Sequence, residues 1–324
     1  MALTWHIGKR EIGSRVLVAP MSGITDLPFR RVLARFSPGY VVSEMVAGKE
    51  FAEGDAHAEL RAAGSGEFDL FVIQLVGRDP AHMAAGARRA EELGADIVDI
   101  NMGCPARKVT SGQCGSALMR DLNHAAAIID ATVRATSLPV TLKMRLGWDD
   151  NSLNAPELAL IAEDLGIQQI TVHGRTRCQF YEGKADWRAV RRVGESTSLP
   201  VCVNGDIASG ADARAALEQS GAAAVMVGRS LVGRPWLLAD IRRGLGESVA
   251  HTPFDPAEVA IAHYRDLLEH HGERKGVKHG RKHVIGYLEH AGAPQALKNR
   301  LVRCPDPENV VAGLREAFAR RMAA

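Results

Sequence analysis

The stretch Ala95–Met119, ADIVDINMGCPARKVTSGQCGSALM, decides how the rest of the chain is read. An apolar run of Ile97, Val98 and Ile100 stops abruptly at Asn101, Gly103, Cys104 and Pro105. Arg107, Lys108 and a loop of small residues follow. A buried strand that ends in polar and small residues is a strand opening onto a reactive surface. Cys104 therefore falls where a barrel or an open α/β sheet keeps its chemistry.

Seven more runs of this kind lie around it: 16–20, 40–43, 70–76, 139–143, 169–173, 200–204 and 223–228. Amphipathic helical patterns separate them, for example 80–93, 123–136 and 156–165. Strands alternating with helices make parallel βαβ units. Eight such units up to residue 243 predict a (β/α)8 TIM barrel. A doubly wound sheet is the rival, but no G-x-G-x-x-G follows the first run and no P-loop sequence occurs. The pattern changes after Arg243. A linker over 244–253 leads to helical stretches near 256–271, 279–291, 295–302 and 307–321, with Gly272, Gly276, Gly292 and Pro305 as breaks. The expected organisation is a catalytic barrel at 1–243 and a small all-helical domain at 244–324.

Composition narrows the class. With 46% hydrophobic and 24% charged residues in 324, the chain is an ordinary globular protein. Aromatics are only 5%, so stacking is not expected to dominate binding, and a net charge of +2 leaves any nucleic-acid signal to be local. The five cysteines form no CxxC and no zinc-type spacing with histidine, so the expectation is a reduced, cytoplasmic setting with no metal site. No apolar leader or spanning run is visible, and a monomer is the default.

The C-terminal ends of the runs carry the chemistry. They hold Met21 and Ser22, Glu44, Gln74, Asn101 with Cys104, Lys143 with Arg145, His173 with Arg175, Asn204–Gly205–Asp206, and Gly228–Arg229. Any one of these could simply terminate a strand; in a barrel all of them face one mouth. The loops after the last two runs, NGDIASGAD and GRSLVGRP, occupy the usual phosphate position of such barrels. Gly205, Gly210, Gly228 and Gly233 would let backbone N–H groups approach a phosphate, and Arg229 would add a charge-assisted bond. Without a dinucleotide fingerprint, the phosphate is expected to belong to a mononucleotide such as FMN. Lys143 would place a cation beside a flavin's N1 and O2, and Gln74 would bond its pyrimidine edge. A Schiff-base role for Lys143 is the alternative. Cys104 on the tight NMGCP turn is a general-acid candidate, against the plain reading of a small buried hydrophobe. His173 is a second acid/base or hydrogen-bonding candidate. The run RKGVKHGRKH, 274–283, holds five Lys/Arg and two His with no acid. Together with Arg107, Lys108 and Arg175 it suggests a groove for a polyanion.

Taken in order, APM, SEM, NMGCPARKV, LKMRLGW, ITVHGRTR, NGDI and MVGR resemble the tRNA-dihydrouridine synthases, and NMGCPARKV with the basic tail is most similar to the bacterial B-type branch, historically tied by name to nitrogen regulation. The resemblance spans the whole chain. It implies an FMN barrel with a helical tRNA-binding domain, and NADPH-driven reduction of D-loop uridines to dihydrouridine. It implies that Pro20, Met21, Ser22, Gln74, Lys143, His173, Asn204, Gly205, Asp206, Gly228 and Arg229 bind the cofactor. It further implies that Cys104 donates a proton to uracil C5 after hydride reaches C6. Asn101, Arg107, Lys108, Arg145, Arg175, Lys275, Lys278, Arg281 and Lys282 are expected on the substrate side. A flavin barrel acting on a small pyrimidine explains the mouth but not the tail; a non-catalytic RNA binder explains the tail but not the mouth.

Overall fold

The computed structural model describes residues 5–250 and 253–322. Residues 1–4, 251–252 of the expected linker and 323–324 of the expected helical domain lie outside the described residues. Two short strands, β1 (Trp5–Ile7) and β2 (Arg10–Ile12), pair as an antiparallel hairpin that the sequence reading did not anticipate. Eight strands then close a parallel barrel: β3 (Val16–Val18), β4 (Val41–Ala47), β5 (Phe71–Val76), β6 (Ile97–Met102), β7 (Val140–Arg145), β8 (Gln169–His173), β9 (Val201–Asn204) and β10 (Ala224–Val227). β10 closes the ring by pairing with β3.

Side chains alternate along a strand, so each strand sends one parity inward and the other towards the helices. The outward set (Val98 and Ile100 of β6, Leu142 and Met144 of β7, Ile170 and Val172 of β8) joins the large core beneath the helical ring. The inward set makes a separate cluster: Leu17, Tyr40, Val42, Val72, Ile97, Cys202 and Met226, sealed at the lower end by Ile7 and Ile12 of the hairpin. The same parity carries polar residues to the upper end. Register aligns Asn101 with Lys143, Lys143 with Thr171, and His173 with Asn204.

Four helices follow the barrel: Pro256–His271, Glu273–His290, Gln295–Arg303 and Pro307–Met322. The second begins six residues before the expected His279. Gly276 is not a break but a contact: a Cβ there would lie 2.6 Å from the Leu268 Cα of the preceding helix. The expected linker is also tied down, because the Glu247 carboxylate accepts hydrogen bonds from the Ser14 hydroxyl, the Arg15 N–H and the Arg242 guanidinium. No helix among the described residues is long and apolar enough to cross a membrane.

Candidate active site

A cavity of about 720 Å³ opens at the C-terminal mouth of the barrel. The first strand ends contribute Pro20, Met21, Ser22, Gln74, Asn101 and Cys104 to its wall. Lys143, Arg145, His173, Asn204, Gly205, Asp206, Gly228 and Arg229 join them; Glu44, expected at the same mouth, is buried outside the cavity wall and accepts a hydrogen bond from the Gly23 N–H at 2.6 Å. Exposed Arg107 and Lys108 occupy the short helix just beyond Cys104. Lys275, Lys278, Arg281 and Lys282 are exposed on helix Glu273–His290, outside the cavity.

Cys104 is held by its backbone. Its N–H donates to Asn101 Oδ1 at 3.0 Å, as does the Gly103 N–H at 3.2 Å, and its carbonyl accepts from the Ser116 hydroxyl and N–H. The Asn101 side chain is oriented in turn by a buried chain. Asn101 Nδ2 donates to Gln74 Oε1 at 2.7 Å, Gln74 Nε2 donates to Asp99 Oδ2 at 2.6 Å, and Thr141 Oγ1 donates to Asp99 Oδ1 at 2.6 Å. A carboxylate can only accept, so the Gln74 amide has one favourable orientation, and this fixes Asn101 and the Cys104 turn. Burial pushes the Asp99 carboxyl up to about 6, against the hydrogen bonds that favour its charge. Gln74 was expected to face the cofactor with both amide atoms; each already carries one internal bond, leaving one site apiece.

Lys143 Nζ donates to Asn204 Oδ1 at 3.0 Å, and Asn204 Nδ2 donates to the Met226 carbonyl at 2.8 Å. Burial, then the nearby Arg145 cation, brings Lys143 down to about 8. Burial and the same cations hold His173 neutral, well below the usual histidine range. Its Nδ1 is buried with no partner.

Several residues act differently from expectation. Arg175 is 1% exposed, so it is not a surface cation for a polyanion. Its guanidinium donates to both oxygens of Asp206 and to the carbonyls of Glu182 and Gly183. Asp206 is thereby engaged in fixing loops rather than free for a ligand. Arg175, against the cost of burial, holds it below the usual carboxylate range. Arg145 is likewise buried and donates to the carbonyls of Gly103, Thr176 and Phe180. It ties the Cys104 turn to the loop after β8. Two of the four expected phosphate-loop glycines serve packing instead: a Cβ on Gly210 would lie 2.8 Å from Gly244 Cα, and one on Gly233 would lie 2.0 Å from the Gly286 carbonyl carbon.

The sequence reading missed Phe180 and Tyr181, which line the cavity from the loop after β8. The Tyr181 ring takes the Arg229 guanidinium 4.5 Å from its centroid and the Arg145 guanidinium at 5.5 Å. With so few aromatics in the chain, one falling just after HGRTR was the available signal.

The fold and site define a class: a (β/α)8 barrel whose mouth offers a lysine, paired amides and a neutral histidine around a cavity bordered by a thiol. Among solved structures the chain is similar to morphinone reductase, with TM-score 0.55 and 15% identity, covering 79% of this chain and 91% of that one. It is also similar to a 2-naphthoyl-CoA reductase, with TM-score 0.60 and 12% identity over 75% of this chain and 52% of that one. These likenesses are to barrel flavoenzymes and speak for the fold. Residues 17–323 match the family model for dihydrouridine synthase. A Rhizobium leguminosarum protein described as a "Probable tRNA-dihydrouridine synthase" is 49% identical, covering 95% of this chain and 96% of the relative. The Pseudomonas aeruginosa tRNA-dihydrouridine synthase B is 41% identical over 98% of this chain and 96% of its own length. The chain belongs to the dihydrouridine synthase family, a family of flavin-dependent oxidoreductases.

Proposed function

We propose that this protein reduces particular D-loop uridines of tRNA to 5,6-dihydrouridine in the cytoplasm, with FMN in the barrel mouth and NADPH as reductant. One observation carries the reading: the half-buried Cys104 borders the same cavity as Lys143, Asn204 and His173. The cavity suits the cofactor. The Lys143 ammonium has three donors and makes one hydrogen bond, and the His173 Nδ1 makes none. Both are placed for a polar ring edge, with Gln74, Asn101 and Asn204 beside them and the Gly228–Arg229 backbone and guanidinium for a phosphate.

When bound, FMN supplies the hydride for uracil C6. Cys104 holds the proton that C5 requires as negative charge develops there and on O4. Its turn is fixed from both sides, so the thiol meets the base in one geometry. A uridine inside the tRNA elbow must be extruded to reach this depth. Tyr181, at 51% exposure on the rim, offers a ring face to an incoming base. The exposed cations of helix Glu273–His290 grip phosphates and set orientation without reading sequence. NADPH needs no fingerprint of its own if it docks transiently over the cavity before the tRNA enters.

The test is to incubate unmodified tRNA with the protein, FMN and NADPH, and map dihydrouridine by position. Dihydrouridine at defined D-loop sites is the expected result. NADPH oxidation without any dihydrouridine overturns the tRNA assignment and points to a small pyrimidine substrate.

A further inference from the structure

On the flank of the barrel, where its first helix meets the C-terminal helices, the chain assembles a cluster that the proposed reaction does not use. Asp26 caps helix Leu27–Ala34 and is 3% exposed. His263, from helix Pro256–His271, is fully buried, and His283, from helix Glu273–His290, is 1% exposed. One ligand-capable atom from each of the three lies within 4.8 Å of the other two. His263 Nε2 and both nitrogens of His283 are buried without a hydrogen-bond partner. Leaving a buried polar group unpaired is costly, and three such atoms on two adjacent rings call for an occupant.

We propose that Asp26, His263 and His283 bind a single Zn2+ ion that clamps the barrel to the helical domain. Two imidazoles and one carboxylate are a borderline donor set suited to zinc, with water in the fourth position. The surroundings already have the form of an outer coordination shell. The Tyr287 hydroxyl meets His263 Nδ1 at 3.0 Å and so directs Nε2 at the cluster. The His271 ring hydrogen-bonds Asp26 Oδ2 at 2.9 Å, and Asp26 Oδ1 accepts from the Phe29 N–H at 3.2 Å; a carboxylate retains lone pairs beyond these. The Phe29 ring stacks 5.2 Å from His263 and lies 4.7 Å from His283, walling the cluster with an apolar face. Burial keeps both ligand histidines neutral, the form that coordinates. A second triad, Asp26 with His271 and His279, shares the carboxylate, but there Asp26 and His271 already satisfy each other and His279 is exposed. The fully buried triad is the site.

Its position matters to the mouth. Asp26 ends the loop whose Met21, Ser22 and Ile24 line the cavity, so an ion here would hold that loop against the helix carrying the basic face.

The experiment uses the full chain. After dialysis against EDTA, the protein is titrated with Zn2+ in competition with a chromophoric chelator, and melting is followed with and without the metal. The expected result is one equivalent bound with sub-micromolar affinity, and a rise of several degrees in Tm on zinc addition. His263→Gln and His283→Ala should each lose that equivalent, whereas His279→Ala should keep it. A wild-type chain that takes up no zinc overturns the proposal even if the variants fail to fold, and leaves a buried water as the occupant. Uptake lost in His279→Ala, or kept in His283→Ala, also overturns it. Zinc content and Tm are read without turnover, so the outcome is independent of the tRNA reaction.

Discussion

Replacing Cys104 by alanine removes one half-buried sulfur and nothing else of the turn's support. The hydrogen bonds that hold residue 104 run through its N–H, to Asn101 at 3.0 Å, and its carbonyl, from the Ser116 hydroxyl at 2.9 Å, and survive the change. The stability cost should therefore stay below about 1 kcal/mol, and FMN should remain bound because Lys143, Asn204 and His173 are untouched. A positioned general acid is worth about 10²–10⁴ in rate, equivalent to about 3–5 kcal/mol of barrier. The assay is single-turnover formation of dihydrouridine in unmodified tRNA by pre-reduced protein, at equal flavin occupancy. Wild-type and Cys104→Ala rates should differ by at least a hundredfold. A difference within threefold, with FMN retained, would show that the proton comes from elsewhere and that the thiol merely fills space.

Three further outcomes follow from the geometry. Burial brings Lys143 from 10.5 to about 8, so between those values the unfolded chain binds the extra proton, stability rises with pH, and the cavity loses the lysine's charge while Arg145 and Arg229 keep theirs. FMN affinity, followed by flavin fluorescence, should fall above pH 8 by up to about tenfold per unit, and Lys143→Met should abolish that dependence; a flat wild-type profile from pH 7 to 9 refutes it. Gly233→Ala should cost several kcal/mol in denaturant melts, because its φ is +81° and the new Cβ would meet the Gly286 backbone at 2.0 Å; native-like melting would mean that the contact between barrel and helix is looser than described. Lys278→Ala and Arg281→Ala should each weaken tRNA binding across sequences and lower the salt-dependence slope by about 0.7–0.9, measured by filter binding over a salt series; unchanged slopes would place the tRNA on another face.

The barrel and its mouth were legible in the sequence because their signals are local. Each strand announces itself by an apolar run, and each run ends on the residues that meet at the mouth, so Cys104, Lys143, His173 and Asn204 could be named before any packing was known. Length and alternation are properties of a few adjacent residues, and closing the barrel then follows from counting units. What a side chain does once it arrives is another matter. Arg175 and Arg229 look equivalent as strand-end cations, yet one is sealed against Asp206 and the other is 57% exposed. Gly210, Gly233 and Gly276 look like turns or phosphate contacts, yet each is small because another backbone or helix presses against it. The Thr141–Asp99–Gln74–Asn101 relay crosses two strand pairings, and its direction is set by which group can only accept. The cluster around Asp26 joins that residue to histidines 237 to 257 positions further along the chain, so no spacing rule could reveal it. Sequence by itself determined the periodic elements and the residue types at their ends; only the tertiary structure decided burial, pairing and hydrogen-bond direction, because those depend on neighbours the chain brings from far away.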